Sequence, residues 1–312
     1  MIKLLLLLLL LLLVATARAW KISKIVWQTV GEGKRQEKRF IEAHRRMVAA
    51  NPNWAFEVVD DARMERMMAE EVGNVARAFM SINPRLGAAR ADLWRYSVLF
   101  VRGGVYADAD VCIVEPLESW LRPDDECVAL FEPTPFPYHD TGRVYAHDPT
   151  LSQDALAVYR RLGREGLWDE PPPSVGILDL NVAQWFLAAA PGHPAMGAAR
   201  TRAASLLERW VDDNETAHLT TRMKVLYLTG PVVWNQAVRS VGGVRLLGIC
   251  QAGCMSWPPW LYEGNYSRFR IDRLLLKFHC VHASLQERKA SYIRADRSLP
   301  IKVPPPPPPP PP

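Results

Sequence analysis

A nearly continuous apolar run occurs at 22–30, and WAFEVVDD, at 54–61, is predicted as a second strand. Runs of this length are typical of strands that are covered on both faces, as in a parallel sheet. Further short apolar segments predict strands at 105–107, 127–132, 174–180 and 244–249.

Between these runs, apolar residues recur at steps of three and four, which is the period of an amphipathic helix. The pattern is clear after Pro84 and ends at Gly103–Gly104; its apolar positions are Leu86, Ala89, Leu93, Tyr96 and Phe100. Other helices are predicted at 35–50, from near Asp61, and at 152–163, 183–190, 192–210 and 229–243. Strands and helices alternate without an internal repeat, which predicts an α/β fold around a mostly parallel sheet flanked by helices.

The two ends of the chain do not fit this alternation. Lys3 precedes ten leucines, and a small-x-small site follows at Ala17–Ala19, so 1–19 is interpreted as a secretory signal peptide or a short signal anchor. As a signal peptide or as an anchor, this segment predicts that the chain enters the secretory pathway and is located in the Golgi or ER lumen. Membrane association is expected if the segment is not cleaved, and secretion is the second choice. The folded domain is predicted at 20–290, and 291–312 is interpreted as a tail with a polyproline run.

Composition narrows the function only slightly. The 312 residues are 49% hydrophobic and 23% charged with a net charge of +5, which is ordinary for a globular protein. No block of five like charges occurs, so nucleic acid is not predicted as a partner. The five cysteines form no CxxC pair, which argues against a structural zinc site.

The segment GGVYADAD, at 103–110, places two carboxylates close together at the end of a short predicted strand. Residues i and i+2 of an extended segment point to the same side, so Asp108 and Asp110 are expected side by side. They are either solvated turn residues or the ligands of a hard cation such as Mn²⁺ or Mg²⁺.

The preceding helix carries Asp92 and Arg95 at positions i and i+3, which lie on neighbouring parts of the helix surface. One interpretation is an ordinary intrahelical ion pair, which contributes about 0.3–0.5 kcal/mol. The other is that both side chains belong to the same site as the two aspartates, since the helix leads directly into the strand.

The stretch RADLWRYSVLFVRGGVYADAD, at 90–110, resembles the signature of the DXD-containing glycosyltransferases of family 32. This group includes initiating α-1,6-mannosyltransferases and inositol-phosphoceramide mannosyltransferases. Looser similarity extends over about 22–285, with landmarks at KIVWQT (24–29), NPNWAFEVVDD (51–61), GHP (192–194) and TGP (229–231).

The resemblance implies a GT-A fold, a nucleotide-sugar donor, a divalent metal (Mn²⁺ or Mg²⁺) and retention of the anomeric configuration. It implies that Asp110 is a direct metal ligand and that Asp108 contacts the ribose and the metal shell, which makes both of them catalytic candidates. Asp92 and Arg95 are expected to hold the donor's sugar hydroxyls and phosphates, and Tyr106 is expected beside the nucleotide.

The sequence departs from the family pattern in two places. Trp27 stands where the first-strand motif usually has histidine, and Leu285 replaces the tryptophan of a closing motif. That closing segment keeps His282 and Ser284. Ser284 is expected to bind substrate, and His282 is either a contact to the metal or a phosphate, or a structural histidine.

The favoured function is transfer of a hexose, with mannose from GDP-mannose as the leading donor, to a glycan or glycolipid acceptor. The altered positions at Trp27 and Leu285 motivate an alternative, a transferase-like protein that binds nucleotide sugar or glycan without turnover. A metal-dependent phosphohydrolase that uses the same aspartates is the third hypothesis.

Overall fold

The structure is a computed structural model, and it describes residues 19–31, 38–71, 73–109, 111, 113, 116–132, 181–212, 221–248 and 300–303. The strands are β1 (Ile25–Thr29), β2 (Ala55–Val59), β3 (Gly104–Ala107), β4 (Cys127–Glu132), β5 (Asn181–Ala189) and β6 (Arg245–Gly248). The α-helices are α1 (Lys38–Ala50), α2 (Asp61–Ala69), α3 (Asn74–Ser81), α4 (Gly87–Arg102), α5 (Pro194–Arg209), α6 (Thr221–Leu228) and α7 (Pro231–Val241).

The strands form one sheet in the order β2-β1-β3-β5-β4-β6. Strand β1 runs parallel to β2 and β3, and β4 runs parallel to β6. Strand β5 is antiparallel to both of its neighbours, β3 and β4. Five strands therefore point one way and β5 points the other way, which confirms the predicted α/β class with a mostly parallel sheet.

The predicted helix at 183–190 is wrong, because this segment lies in strand β5. Its sequence, NVAQWFLAA, is apolar on both sides, and Ala183, Phe186 and Leu187 are all buried. A short apolar run of this kind has no clear period, so the pattern alone does not separate a buried strand from a buried helix. Pairing with strands on both sides decides in favour of the strand.

The sheet separates two apolar cores. One lies on the side of α2–α7 and includes Trp27, Leu93 and Leu187. The other includes Val26, Val105 and Met47 of α1. On α1, Met47 is buried whereas Ile41 and Val48 are exposed, at 51% and 38%, so only part of this helix packs against the sheet.

A glycine pair forms the junction between α4 and β3. Gly103 and Gly104 both have positive φ, at 66° and 106°. A Cβ atom on Gly104 would lie 2.6 Å from the backbone oxygen of Ile25, a distance that side chains do not tolerate. The pair therefore ends the helix and lets β3 lie directly against β1, which fixes the short distance between α4 and the end of β3.

A segment within the predicted C-terminal tail packs on this domain. Ile301 is fully buried in the core on the α2–α7 side, and Lys302 forms an antiparallel bridge with Ile82. The backbone N–H of Ile301 donates to the carboxylate of Asp212 at 2.9 Å. The tail boundary at 290/291 remains a prediction. In the described parts of the chain, none of the helices has the length and apolar character needed to cross a membrane.

Candidate active site

The candidate site lies between α4 and the C-terminal end of β3. Helix α4 places Asp92 and Arg95 toward the sheet, and both are buried. Strand β3 supplies Tyr106, which is fully buried, and leads directly into Asp108. This is the carboxyl end of a strand in a mostly parallel sheet, where ligands bind in folds of this class.

Arg95 lies at the centre of the site. Its Nη2 is 3.1 Å from Oδ1 of Asp92, and its Nη1 is 3.4 Å from Oδ1 of Asp108. Nη1 also donates to the backbone oxygen of Gln184 at 2.9 Å. The guanidinium carbon lies 4.4 Å from the centre of the Tyr106 ring. The intrahelical pair with Asp92 exists, but it is buried and extends to a second carboxylate, unlike an ordinary surface pair.

Asp92 forms the inner side of the site. Its Oδ1 accepts a hydrogen bond from Nε2 of Gln184 and its Oδ2 accepts one from Oγ1 of Thr229, both at 3.0 Å. Burial raises the pKa of Asp92 to about 6, while Arg95 and the two hydrogen bonds oppose that rise. The carboxyl is therefore ionised at neutral pH, because these partners compensate in part for its lost hydration.

Asp108 forms the outer side of the site, and 35% of its side chain is exposed. The phenol of Tyr106 donates to its Oδ1 at 2.7 Å, and the Thr29 hydroxyl lies 3.0 Å from the same phenol oxygen. Burial raises the pKa of Tyr106 well above its ordinary range, so the phenol stays protonated and acts as a donor.

Three predicted site residues, Asp110, His282 and Ser284, lie outside the described residues, as does the altered position Leu285. Among the residues that the structure describes, no group of three His, Cys, Asp or Glu side chains could hold a metal ion. The oxygen donors of Asp108 fit a hard cation all the same. Magnesium is often held by one or two carboxylates together with substrate phosphates, without a cage of protein ligands.

Sequence reasoning missed two residues that contact Asp92. Gln184 lies on β5, which the sequence pattern misassigned to a helix, so its side chain had no predicted relation to the site. Thr229 belongs to the TGP landmark at 229–231, and the resemblance marked that segment without giving it a role. The TGP landmark was a sequence signal that could have identified Thr229. The hydrophobic pattern around Gln184 contained no signal that points to the site.

Two residues of the motif at 90–110 serve packing instead. Arg90 donates to Glu65 on α2 at 2.7 Å, and its guanidinium carbon lies 4.6 Å from the centre of the Phe79 ring. Trp94 is fully buried, and its ring centre lies 6.2 Å from that of Trp27 in an edge-on arrangement. The motif therefore combines site residues with residues that attach α4 to its neighbours.

The substitution at Trp27 has a structural explanation. The indole Nε1 donates to the backbone oxygen of Gly103 at 2.9 Å, and the ring is buried against Trp94. The tryptophan thus holds the glycine junction that positions β3. This departure from the family pattern leaves the contacts among Asp92, Arg95 and Asp108 in place.

Residues 37–126, which contain α4, β3 and the DXD segment, match the family described as glycosyltransferase sugar-binding region containing DXD motif. This match and the curated relatives described below bear out the resemblance to DXD-containing glycosyltransferases that the sequence predicts. This match covers the helix and strand that carry Asp92, Arg95, Tyr106 and Asp108.

Curated relatives of the chain include three initiation-specific alpha-1,6-mannosyltransferases. That of Candida albicans is 33% identical over 104 residues, which cover 31% of this chain and 26% of the relative. That of Schizosaccharomyces pombe is 23% identical, and the match covers 70% of this chain and 48% of the relative. That of Saccharomyces cerevisiae is 26% identical, and the match covers 56% of this chain and 38% of the relative. The chain thus spans half or less of the length of these relatives.

Solved structures similar to the chain include two glycosyltransferases. PaToxG glycosyltransferase has a TM-score of 0.40 and 15% identity, and the match covers 70% of this chain and 69% of that one. The ligand-free glycosyltransferase domain from the YGT toxin has a TM-score of 0.40 and 12% identity, with 72% and 79% covered.

Proposed function

We propose that the chain is a metal-dependent, retaining glycosyltransferase that moves a hexose from a nucleotide sugar to a glycan or glycolipid. The observation that carries this proposal is the buried guanidinium of Arg95, which lies between the carboxylates of Asp92 and Asp108. This cluster lies within the region that matches the DXD-containing family.

Each described residue has a distinct task in this reaction. Asp92, buried and ionised, accepts hydrogen bonds from the hydroxyl groups of the donor sugar. Arg95 supplies a fixed positive charge beside the leaving phosphates, which stabilises the negative charge that develops as the anomeric bond breaks. Tyr106 and Arg95 together orient the carboxylate of Asp108 toward the nucleotide.

A divalent ion would be held by Asp108 and Asp110, with His282 as a further candidate. When bound, Mn²⁺ or Mg²⁺ would supply Lewis-acid stabilisation of the negative charge that develops on the leaving group. Ser284 is the remaining candidate for a substrate contact. The proposed retention of configuration follows from the family resemblance.

Mannose from GDP-mannose is the proposed donor, because three of the curated relatives are alpha-1,6-mannosyltransferases by name. The proposed location is the secretory pathway, in the Golgi or ER lumen. This proposal rests on the leucine-rich segment within 1–19 and the small-x-small site that follows it.

A panel of nucleotide sugars, assayed with and without Mn²⁺, tests the proposal on the purified chain. The expected result is Mn²⁺-dependent release of a nucleoside diphosphate, with GDP-mannose giving the highest rate. Binding without release across donors and acceptors would favour the non-catalytic alternative. Release of inorganic phosphate from the donors would favour the phosphohydrolase.

Asp124→Asn is the matched control for substitutions of the site aspartates. Asp124 is exposed and precedes β4, which runs in the same direction as β3. The start of β4 therefore lies at the edge of the sheet opposite the end of β3. This variant is expected to keep the wild-type rate.

A further inference from the structure

Strand β5 is irregular where it passes the candidate site. From one paired position to the next, β4 advances by two residues, from Ala129 to Phe131, while β5 moves by five, from Leu187 to Val182. The additional residues of β5 form a bulge. Bulges of this kind change the direction of side chains and occur often beside active sites.

The bulge reverses which side of the sheet the residues of β5 face. Trp185 and Phe186 are adjacent in sequence, yet both pack in the core on the α1 side. Leu187 and Val182 both lie in the core on the α2–α7 side. If the side chains of β5 alternated strictly between the two faces of the sheet, starting from Leu187, Gln184 would face α1. The bulge changes this alternation and turns Gln184 toward α4.

Gln184 consequently contacts three residues of α4. Its Nε2 donates to Oδ1 of Asp92 at 3.0 Å and to the phenol oxygen of Tyr96 at 2.5 Å. Its backbone oxygen accepts from Nη1 of Arg95 at 2.9 Å. The side chain is buried, so these partners and not water satisfy its amide protons.

The same bulge also holds the outer carboxylate residue. The backbone N–H of Asp108 donates to the backbone oxygen of Trp185 at 2.9 Å. Adjacent residues of β5 therefore hold Arg95 and Asp108 from one short segment. A shift of this segment would move both sides of the site relative to each other.

We propose that Gln184 is a positioning residue for sugar transfer. It fixes Asp92 and Arg95 relative to each other and to Asp108, and it acts through these groups without touching the donor. The inference rests on the proposed glycosyltransferase function and adds a residue that neither the DXD segment nor the TGP landmark contains.

The first test compares Gln184→Ala with Asn51→Ala. Asn51 is also a buried amide, but it accepts from the backbone N–H of Leu117 and donates to the backbone oxygen of Met47, away from the site. Both variants are expected to lower the melting temperature. Only Gln184→Ala is expected to lower kcat, by about 100-fold, because misplaced binding groups reduce the rate of the chemical step.

The second test uses Gln184→Glu, which preserves size but places a second carboxyl beside Asp92. The two carboxyl groups then share a proton, so the hydrogen bond to Asp92 survives only at lower pH. The variant's kcat is expected to rise as the pH falls from about 8 to about 6. The wild-type kcat is expected to fall toward pH 6 as Asp92 gains a proton, since burial raises the pKa of this carboxyl to about 6. The charged and titratable groups that act on Asp92, which are Arg95, Tyr96 and Asp108, are the same in both proteins. Opposite slopes of kcat against pH would therefore report on position 184.

The outcomes separate this inference from the proposed function. Wild-type kcat in Gln184→Ala, or a Gln184→Glu profile parallel to that of the wild type, would overturn the positioning role while the wild-type turnover still supports the transferase. A wild-type chain that neither binds nor turns over any donor of the panel would overturn both.

Discussion

The inner and outer sides of the candidate site differ in how their carboxylates are supported. Asp92 is buried and receives hydrogen bonds from Gln184 and Thr229. Asp108 is about one third exposed and receives one from Tyr106. The guanidinium of Arg95 lies between them and pairs with both.

This difference assigns different tasks to two identical side chains. A buried carboxylate needs several fixed donors to remain ionised, and these donors hold it in one orientation. A partly exposed carboxylate keeps access to solvent and therefore to a ligand or ion. The environment, and not the residue type, makes Asp92 a rigid contact and Asp108 an accessible one.

Removing Arg95 is expected to have the largest effect, because it eliminates the charge that both sides share. Arg95→Ala leaves the buried carboxylate of Asp92 without its cation, and loss of one partner of a buried pair costs about 3–5 kcal/mol of unfolding free energy. Transfer activity is expected to be lost. Chemical denaturation and a donor-turnover assay measure the two effects.

Arg90→Ala is the control for this change, since Arg90 is buried on the same helix but pairs with Glu65 outside the site. It is expected to lose stability and retain its kcat. Equal losses of kcat in the two variants would show that Arg95 acts only through the packing of α4.

Asp108→Asn is expected to separate activity from stability on the outer side. The Mn²⁺ concentration that gives half-maximal rate is expected to rise at least about 10-fold. The free energy of unfolding is expected to change by less than about 1 kcal/mol, because partly exposed ion pairs contribute little. Unchanged Mn²⁺ dependence would contradict the assignment of Asp108 to the metal shell.

Asp92→Asn tests the inner side through the pH dependence of stability. The pKa of Asp92 is raised from 3.8 to about 6, so the folded protein binds this proton more tightly than the unfolded chain. The wild-type free energy of unfolding is therefore expected to fall as the pH rises from about 4 to about 6, by at most about 3 kcal/mol.

The Asp92→Asn variant is expected to lack this component of the pH dependence, because its side chain does not titrate. Urea denaturation at a series of pH values compares the two proteins. Parallel stability curves across this window would contradict the raised pKa of Asp92.

Removing a single phenol hydroxyl on either side of the site is expected to have the smallest effect among these substitutions. Tyr96→Phe removes the phenol that accepts from Gln184 on the inner side, and Tyr106→Phe removes the donor to Asp108 on the outer side. A hydrogen bond contributes about 1 kcal/mol on average, and an unsatisfied buried group costs about 1–3 kcal/mol. Tyr96→Phe is therefore expected to be the less stable variant in thermal denaturation, since it leaves a buried amide proton of Gln184 without a partner.

The site could be predicted in part because some of its geometry is local. The spacing of Asp92 and Arg95 places them on one part of a helix, and the glycine pair predicts where that helix ends. The strand that follows must then deliver Asp108 nearby. Gln184 and Thr229 could not be found this way, because they lie 92 and 137 residues from Asp92 along the chain.

The sequence by itself determined the α/β class, helix α4 and the placement of Asp92 and Arg95 on one part of that helix, since helical period and the position of glycines act over a few residues. Tertiary structure alone decided that 181–189 is a strand and that a bulge turns Gln184 toward α4. It also decided that Asp92 is the buried carboxylate and Asp108 the accessible one. These outcomes depend on which distant segments pair and which groups lose water, and neither quantity is encoded in local periodicity.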